Sequence, residues 1–194
     1  MKRTEIVTAR DEGRTRAEEF LKETYLSQYQ ASIDAFPSQI IALVNQDDEI
    51  FCAAGLRTEG DGFFSERYLD APIETVLREA SGDRVLRSQI FEVSTFASRA
   101  PRDTARFIGD IVRFGRDNRF AWSFFTLTSR LRTMLDRLGL APVCIGDADY
   151  RKLDDFEQWG RYYQTQPKVY AVVNGLRPIA RSLSLRGTDC ANSI

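Results

Sequence analysis

An alternation of strand-like and helix-like segments, beginning at Ile90, constrains the fold of this chain more than any other feature. Short apolar runs predict strands, and apolar residues at helical spacing between them predict amphipathic helices. Consecutive strands that are joined through a helix need a crossover connection, normally right-handed, so some of these strands should be parallel. In chain order the segments are a strand over 90–96, a helix over 102–117, a strand over 121–127, a helix from Thr128 or Ser129 to Leu138, and a strand over 141–145.

The first third of the chain predicts a helix followed by an antiparallel hairpin. The helix is expected over 15–29, after a polar lead-in with a short strand near 5–8. The hairpin strands are expected over 40–44 and 50–56, because the polar residues 45–49 between them are typical of a turn.

Two further helices and a last strand complete the prediction. Asp70-Ala71-Pro72 should open a short helix, because aspartate caps helices well and proline is tolerated in the first turn. That helix should end at Ser81-Gly82-Asp83, and another is expected over 151–164, before a strand over 167–173. Glycine is unfavourable inside a helix, so Gly160 predicts a close approach of its backbone to a neighbouring helix or a ligand.

Together the segments predict an α+β fold, in which helices cover both faces of a central mixed sheet. The 194 residues suffice for one domain with a substantial core. We expect that domain over 1–174 and a loosely held tail over 175–194, where the periodicity is weak.

Charge and composition narrow the expected location and partners. The 27 basic and 28 acidic residues nearly cancel, so no global charge favours nucleic acid as a partner. No apolar run approaches the ~20 residues of a membrane span, and the first 20 residues lack the apolar stretch of a secretory signal. Three cysteines, odd in number and far apart, fit a reduced chain. We therefore expect a cytoplasmic protein with no integral membrane segment.

The chain contains no histidine. This absence removes the Ser-His-Asp and Cys-His arrangements, His-ligated zinc and the commonest general base. Any catalysis must use carboxylates, tyrosines, hydroxyls, cysteine, backbone dipoles or a co-substrate, and we expect no metal site.

Four motifs stand in order within roughly residues 16–172: YLDAPIE at 68–74, EVSTFA at 92–97, RLGL at 137–140, and WGRYY at 159–163 followed by Pro167. This set resembles the thermostable hemolysin family. The element order is similar to that of GNAT-type N-acyltransferases. More narrowly, GLR at 55–57 and EVS at 92–94 with Phe96 resemble segments of acyl-homoserine-lactone synthases, which share that architecture. The resemblance implies a fold that holds a phosphopantetheine thioester, from coenzyme A or an acyl carrier protein, for attack by an amine.

Two departures from these families concern the cofactor. GNAT enzymes commonly carry a glycine-containing loop before the helix that follows the central strand, whereas the loop 97–104 contains no glycine. Thr95 stands where the lactone synthases place arginine. The lactone synthases also lack the glycine loop and prefer carrier-protein donors, so the resemblance shifts the expected donor toward an acyl carrier protein. No tightly bound cofactor is expected.

The expected catalytic residues are Glu92, Ser94 and a tyrosine at 162 or 163. A carboxylate inside an apolar strand is costly unless it is paired or faces a cleft, so Glu92 is either a general base with a raised pKa or a structural partner of Arg57. Ser94 shares its face and orients a water or the acceptor, unless a backbone group satisfies it. The resemblance implies that Tyr162 or Tyr163 protonates the departing thiolate; core packing is the alternative.

Two strand-to-helix junctions are the expected cofactor site, because helix N-termini attract phosphate. Phe96, Ala97, Arg99 and Arg102 form the first, although the arginines are equally explained as ordinary surface residues. Thr126, Thr128 and Arg130 belong to the second, where the resemblance implies that two splayed strands expose backbone donors to the pantetheine amides; helix capping is the alternative for the hydroxyls.

Arg57 and several aromatic residues are the expected substrate contacts. Arg57 pairs with Glu92 or binds a carboxylate of the acceptor. Several aromatic residues line a pocket for an acyl chain or simply pack in the core; they are Tyr25 and Phe36, with Phe20, Phe63 and Phe64 as further candidates. Trp159 is also a candidate substrate contact, with core packing as the alternative.

The sequence thus predicts an N-acyltransferase that moves an acyl group from an acyl carrier protein or acyl-CoA to the amine of a small molecule such as an amino acid. A binding protein that kept the fold without catalysis is one alternative, since the glycine loop is missing. A membrane-active hemolysin is the other, although the chain shows neither a spanning segment nor a strongly amphipathic basic helix.

Overall fold

The computed structural model describes residues 1–174, so the predicted tail over 175–194 lies outside the described residues. Seven strands and four α-helices make up the described part of the chain. In order they are β1 Arg3–Thr8, α1 Gly13–Tyr29, β2 Gln39–Val44, β3 Ile50–Arg57, α2 Ile73–Ser81, β4 Ile90–Ser98, α3 Pro101–Asp117, β5 Trp122–Leu127, α4 Ser129–Arg137, β6 Val143–Asp147 and β7 Lys168–Val173.

The strands form one sheet in the order β1-β2-β3-β4-β5-β7-β6. Strands β4 and β5, joined through α3, are parallel, and the other neighbours are antiparallel. The predicted mixed sheet is therefore confirmed. Strand β7 lies between β5 and β6, so the second crossover, through α4, reaches a strand that does not pair with β5.

Helices cover both faces of the sheet, as the sequence predicts. Side chains alternate along each strand, so Ile90 packs with the core beneath α1 and α2, whereas Phe91 packs with the core beneath α3. A third cluster, which includes Ile108 and Leu135, joins α3 and α4 to β5 and β7. Burying each large apolar side chain contributes roughly 1.5–3 kcal/mol, which fixes the helices on the sheet.

Several helix boundaries follow the local sequence signals, but Asp70 does not cap α2 as predicted: Pro72 is the N-cap residue, and Asp70 pairs with Lys152 instead. Pro101 occupies the first turn of α3, where its missing N–H costs nothing. Gly82 and Gly139, at φ of +73° and +74°, lie just past the ends of α2 and α4. The strand predicted over 141–145 begins two residues later, because Ala141 has a φ of +43° and cannot lie in an extended strand.

The helix predicted over 151–164 is wrong. This segment forms three short 3-10 turns, Tyr150–Lys152, Phe156–Trp159 and Tyr162–Thr165. Gly160 separates the last two with φ +52° and ψ −119°, and a Cβ there would lie 2.4 Å from the carbonyl oxygen of Tyr29. The backbone thus approaches the end of α1 closely, as Gly160 suggested, and Arg161 N donates to that same oxygen at 2.7 Å.

Within residues 1–174, no helix combines the length and apolar content that crossing a bilayer requires. The expected cytoplasmic location stays a prediction.

Candidate functional site

A gap between the two central parallel strands defines the site. Strands β4 and β5 pair only where Ile90 to Glu92 meet Trp122 to Phe124, although both strands continue beyond that point. A cavity of about 490 Å³ occupies this region. Residues of both faces line it, among them Tyr25 of α1 and Ile108 of α3, so the cavity passes through the sheet.

A β-bulge in β4 coincides with the gap. Ala97 pairs with Ala53 and Ser94 pairs with Gly55, so two residues of β4 face one residue of β3. The bulged Thr95 has a φ of +46°, which is rare for a β-branched residue and costs of order 1–3 kcal/mol. Bulges bend a strand and increase its twist, and this one explains why β4 departs from β5.

Gly55 leaves the room that Ser94 occupies. A Cβ on Gly55 would lie 2.6 Å from Ser94 Oγ and 2.8 Å from Pro37 Cγ. No side chain fits there without displacing the hydroxyl, so the glycine of the GLR motif shapes the cavity wall.

Glu92 lies at the point where the strands separate, and its side chain is fully buried. Its carboxylate accepts hydrogen bonds from Phe64 N at 2.6 Å, Ser65 N at 2.9 Å and Ser65 Oγ at 2.6 Å. Burial raises the pKa of Glu92 above its ordinary value, and these hydrogen bonds and the charge of Arg57 only partly oppose the rise. The arrangement therefore holds a basic carboxylate against the cavity.

Ser65, which the sequence reasoning missed, connects the two separated strands. Because its hydroxyl donates to Glu92 on β4, it accepts from Thr126 Oγ1 on β5 at 2.8 Å. Ser65 is buried in a 3-10 turn between β3 and α2. A buried carboxylate does require donors, but the sequence alone does not show which loop supplies them.

Unpaired polar atoms concentrate at the cavity. In the described part of the chain, five buried side-chain nitrogen or oxygen atoms lack a hydrogen-bond partner. Four of them belong to cavity-lining residues: Arg57 Nε, Ser94 Oγ, Thr95 Oγ1 and Trp159 Nε1. Buried polar groups normally have partners, so these atoms are suited to bind a ligand.

Aromatic side chains form the wall of the cavity on the α1 side. Trp159 lies 6.3 Å from Tyr25 and 5.1 Å from Phe64, measured between ring centroids. Tyr162 packs against this group, and burial raises its pKa well above the ordinary value. Its phenol therefore keeps its proton at neutral pH. Tyr163 lies outside the lining; its hydroxyl is 2.6 Å from that of Tyr68, and burial raises its pKa to about 12.

The wall on the opposite side of the sheet is apolar. Its lining side chains come from α3, α4 and the residues that follow α4, and they include Ile108, Val112, Leu131, Met134, Leu135 and Leu140. Protein interiors are normally close-packed, so an open apolar space at a helix–sheet interface is suited to an apolar ligand.

The structure brings together most of the residues that the sequence singled out. The cavity lining contains Glu92, Ser94, Tyr162, Phe96, Thr126, Thr128, Arg130, Tyr25, Arg57 and Trp159. It does not contain Tyr163, Ala97, Arg99, Arg102 or Phe36. Of the further aromatic candidates, Phe20 and Phe63 pack in the hydrophobic core outside the cavity lining, whereas Phe64 lines the cavity.

Arg99 is held away from the start of α3. Its Nε donates to Thr24 Oγ1 at 2.9 Å, its Nη2 contacts Glu23 at 3.1 Å, and its guanidinium lies over the ring of Phe20. Arg102 is exposed on the first turn of α3. Thr128 precedes α4 without a side-chain capping bond, so capping does not explain its hydroxyl. In residues 1–174, no three cysteine, aspartate or glutamate side chains gather as a metal site would require.

Comparison with solved structures places the fold among acyltransferases. FeeM, an N-acyl amino acid synthase from uncultured soil microbes, matches with a TM-score of 0.60 and 15% identity, over 90% of this chain and 91% of that chain. The acyl-homoserine-lactone synthase LasI matches with a TM-score of 0.61 and 12% identity, over the same shares. BjaI, a CoA-dependent acyl-homoserine-lactone synthase with SAM and isopentyl-CoA, matches with a TM-score of 0.59 and 9% identity, over 91% and 85%. The chain therefore has the GNAT-like fold that the sequence predicts.

No curated protein matches the sequence. The family described as Thermostable hemolysin matches residues 7–176, which is most of the chain. The protein therefore belongs to the thermostable hemolysin family.

Proposed function

We propose that this protein is an N-acyltransferase, which moves an acyl group from a phosphopantetheine thioester to the amine of a small molecule such as an amino acid. One observation carries the proposal: a buried carboxylate, Glu92, stands where β4 and β5 separate around a cavity that crosses the sheet. The similar structures support it, since they include an N-acyl amino acid synthase and a CoA-dependent synthase with an acyl-CoA.

The thioester donor enters through the gap. Beyond Glu92 and Phe124, the facing edges of β4 and β5 no longer bond to each other, so their backbone groups are available to the amides of a pantetheine arm. The N-termini of α3 and α4 lie at the ends of these strands and offer free N–H groups to phosphate. Arg130 lines the cavity there, whereas the side chain of Arg99 already donates to Thr24 of α1. Arg130 is therefore the stronger candidate for the phosphate.

The acyl chain occupies the apolar side of the cavity, between the sheet and helices α3 and α4. Apolar side chains provide that wall, and burying a methylene there contributes about 0.8 kcal/mol. This assignment differs from the sequence-based expectation, which placed the acyl chain on aromatic residues of the α1 side. The aromatic side is then left for the amine.

The reaction needs one base and one acid. An acceptor that binds as its ammonium first loses one proton to solvent, and the free amine nitrogen then forms a bond to the thioester carbonyl carbon. The carbon–sulfur bond breaks, and the second proton of the nitrogen passes to Glu92, directly or through water. Tyr162 donates a proton to the departing thiolate, and its phenolate recovers a proton from Glu92 through water, so that both groups return to their starting states. Holding both substrates across the gap supplies proximity, which can contribute roughly 7–11 kcal/mol.

Thiol release from the purified protein tests the proposal. Acyl-CoA and acyl carrier protein thioesters of several chain lengths are incubated with a panel of amines, and the free thiol is measured. We expect at least one pair to turn over and Glu92→Gln to reduce that rate. The proposal fails if no pair turns over and no thioester raises the unfolding temperature.

A non-catalytic binding protein is the second candidate, because the loop 97–104 lacks the glycines of a standard coenzyme A site and Arg99 is turned toward α1. A thioester that binds with equal affinity to the wild type and to Glu92→Gln, without thiol release by either, would favour this reading.

A further inference from the structure

Opposite charges stand side by side on one wall of the cavity. Arg57 of β3 is the cross-strand partner of Glu92 of β4, and both residues line the cavity. Directly opposite residues of two strands have Cβ atoms about 4.5–5.5 Å apart. The hydrogen bonds of the Glu92 carboxylate come from Phe64 and Ser65 rather than from Arg57. Hydrogen-bond donors of Arg57 therefore remain available for another acceptor.

The unpaired atoms on this wall are mainly donors. Arg57 Nε and Trp159 Nε1 can only donate hydrogen bonds, and both are buried without an acceptor. Ser94 Oγ, buried on the same strand face as Glu92, is also unpaired. A ligand that satisfies these groups has to present oxygen acceptors close to the group that Glu92 contacts.

We propose that the acceptor substrate carries a carboxylate beside its amine, as an α-amino acid does. This inference rests on the proposed acyl transfer and names the acceptor class for it. The ammonium group lies at Glu92, and the carboxylate lies at Arg57 and accepts from Trp159 Nε1. A zwitterion adds no net charge to this pair, whereas the ammonium of a simple amine would add an unbalanced positive charge beside Arg57 and would leave Arg57 Nε without an acceptor.

The surrounding rings indicate what the rest of the acceptor is like. Tyr25, Tyr29 and Phe64 line the cavity beside Trp159. Aromatic faces and edges pack well against apolar and aromatic groups. Phenylalanine and leucine are therefore suitable probes for the acceptor.

Matched acceptors test the proposal on the wild-type protein. L-phenylalanine, phenethylamine and L-phenylalaninamide differ only at the carboxylate, and L-leucine, isoamylamine and L-leucinamide repeat the comparison. Thiol release is measured with the panel of acyl-CoA and acyl carrier protein donors. We expect kcat/KM for an amino acid to exceed that of its amine and amide by at least about 10-fold, the worth of one charge-assisted hydrogen bond.

Variants assign the effect to Arg57. In Arg57→Gln, KM for the amino acid should rise roughly 10- to 100-fold, so that the preference for L-phenylalanine over phenethylamine is lost. Arg57→Lys keeps the charge without the planar fork and should recover part of the loss. Arg78→Gln removes one positive charge from the exposed face of α2, outside the cavity lining, and should leave the selectivity unchanged.

The outcomes separate this inference from the acyl transfer itself. If amino acids and simple amines react at equal rates, acyl transfer stands and the carboxylate site is overturned. If Arg57→Gln shifts the pH profile equally for both acceptor classes, Arg57 only tunes Glu92 and the site is again overturned. If nothing turns over and no thioester raises the unfolding temperature, the acyl transfer fails. Phenylalanine must then still raise the unfolding temperature more than phenethylamine does, and an equal shift would overturn the carboxylate site too.

Discussion

Replacing Glu92 by glutamine separates the proposed base from the structural role of the same side chain. The substitution keeps the size of a fully buried group and removes its ability to take a proton. Loss of a general base commonly lowers the rate by 10²–10⁴, or roughly 3–5 kcal/mol in activation free energy. We expect kcat to fall at least about 100-fold, with little change in the KM of the thioester.

The structure also gives the cost of this substitution in stability. The Oε1 atom of Glu92 accepts from Ser65 N and Oγ, and Oε2 accepts from Phe64 N. A glutamine oxygen can replace Oε1, but the amide nitrogen would then face the N–H of Phe64. One lost buried hydrogen bond costs about 1–3 kcal/mol, which is less than the usual 5–15 kcal/mol of a folded domain. The variant should therefore fold.

The pH dependence of stability has a definite sign. Because burial raises the pKa of Glu92 above its ordinary value of 4.5, the folded protein holds this proton more tightly than the unfolded chain does. The contribution of Glu92 to stability is full below pH 4.5 and is lost as the pH rises through the folded pKa. The wild type should lose stability relative to Glu92→Gln over that range, as urea denaturation at a series of pH values would measure.

Glu66→Gln is the matched control. Glu66 belongs to the same 3-10 turn as Ser65, and its carboxylate accepts from Arg87 and from Ile73 N outside the cavity lining. This variant should lose stability but keep kcat within about twofold. The base assignment is refuted if folded Glu92→Gln turns over like the wild type, or if the control loses as much activity.

Three further substitutions and one control test the local packing and the shape of the site. Gly55→Ala places a Cβ 2.6 Å from Ser94 Oγ, so we expect a loss of about 1–3 kcal/mol in urea denaturation and weaker acceptor binding in steady-state kinetics. Gly160→Ala puts a Cβ 2.4 Å from a backbone carbonyl and should cost about 2–4 kcal/mol, whereas Gly109→Ala, with open space around it in α3, should gain about 0.5–1 kcal/mol. Leu131→Trp fills the apolar side of the cavity; long acyl donors should lose roughly 10-fold in kcat/KM relative to short ones, and an unchanged chain-length profile would contradict that assignment.

The sequence predicted most of the fold, because hydrophobic periodicity and caps are local signals. The segment 151–164 is one whose conformation these local signals did not predict. Its apolar residues Leu153, Phe156, Trp159 and Tyr163 have helical spacing, but the conformation depends on Gly160 and its contact with the carbonyl of Tyr29. That contact joins residues more than a hundred positions apart, so no local pattern contains it.

The candidate site likewise contains residues that the sequence could indicate and residues whose positions it could not. Glu92 was recognisable, because a carboxylate in an apolar strand demands an explanation, and the motif around it resembles a family. Ser65 was not recognisable, since its role depends on a turn that folds back over β4 and β5. The position of Arg99 beside a helix start predicted a phosphate contact, but the sequence does not reveal that its side chain turns toward Thr24.

Ligand binding offers a route to the substrates that does not require turnover. Thr95 is held in a strained conformation, and buried atoms of Arg57, Ser94 and Trp159 have no partner within the described chain, so a ligand that supplies partners should stabilise the fold. A ligand that binds only the folded state stabilises it by about 2.7 kcal/mol at a concentration of 100 Kd. Donors that fill the gap and acceptors that fill the aromatic side should each raise the unfolding temperature. Since they occupy different sides of one cavity, a correct pair should stabilise more than either alone, and a pair that competes would contradict the two-sided assignment.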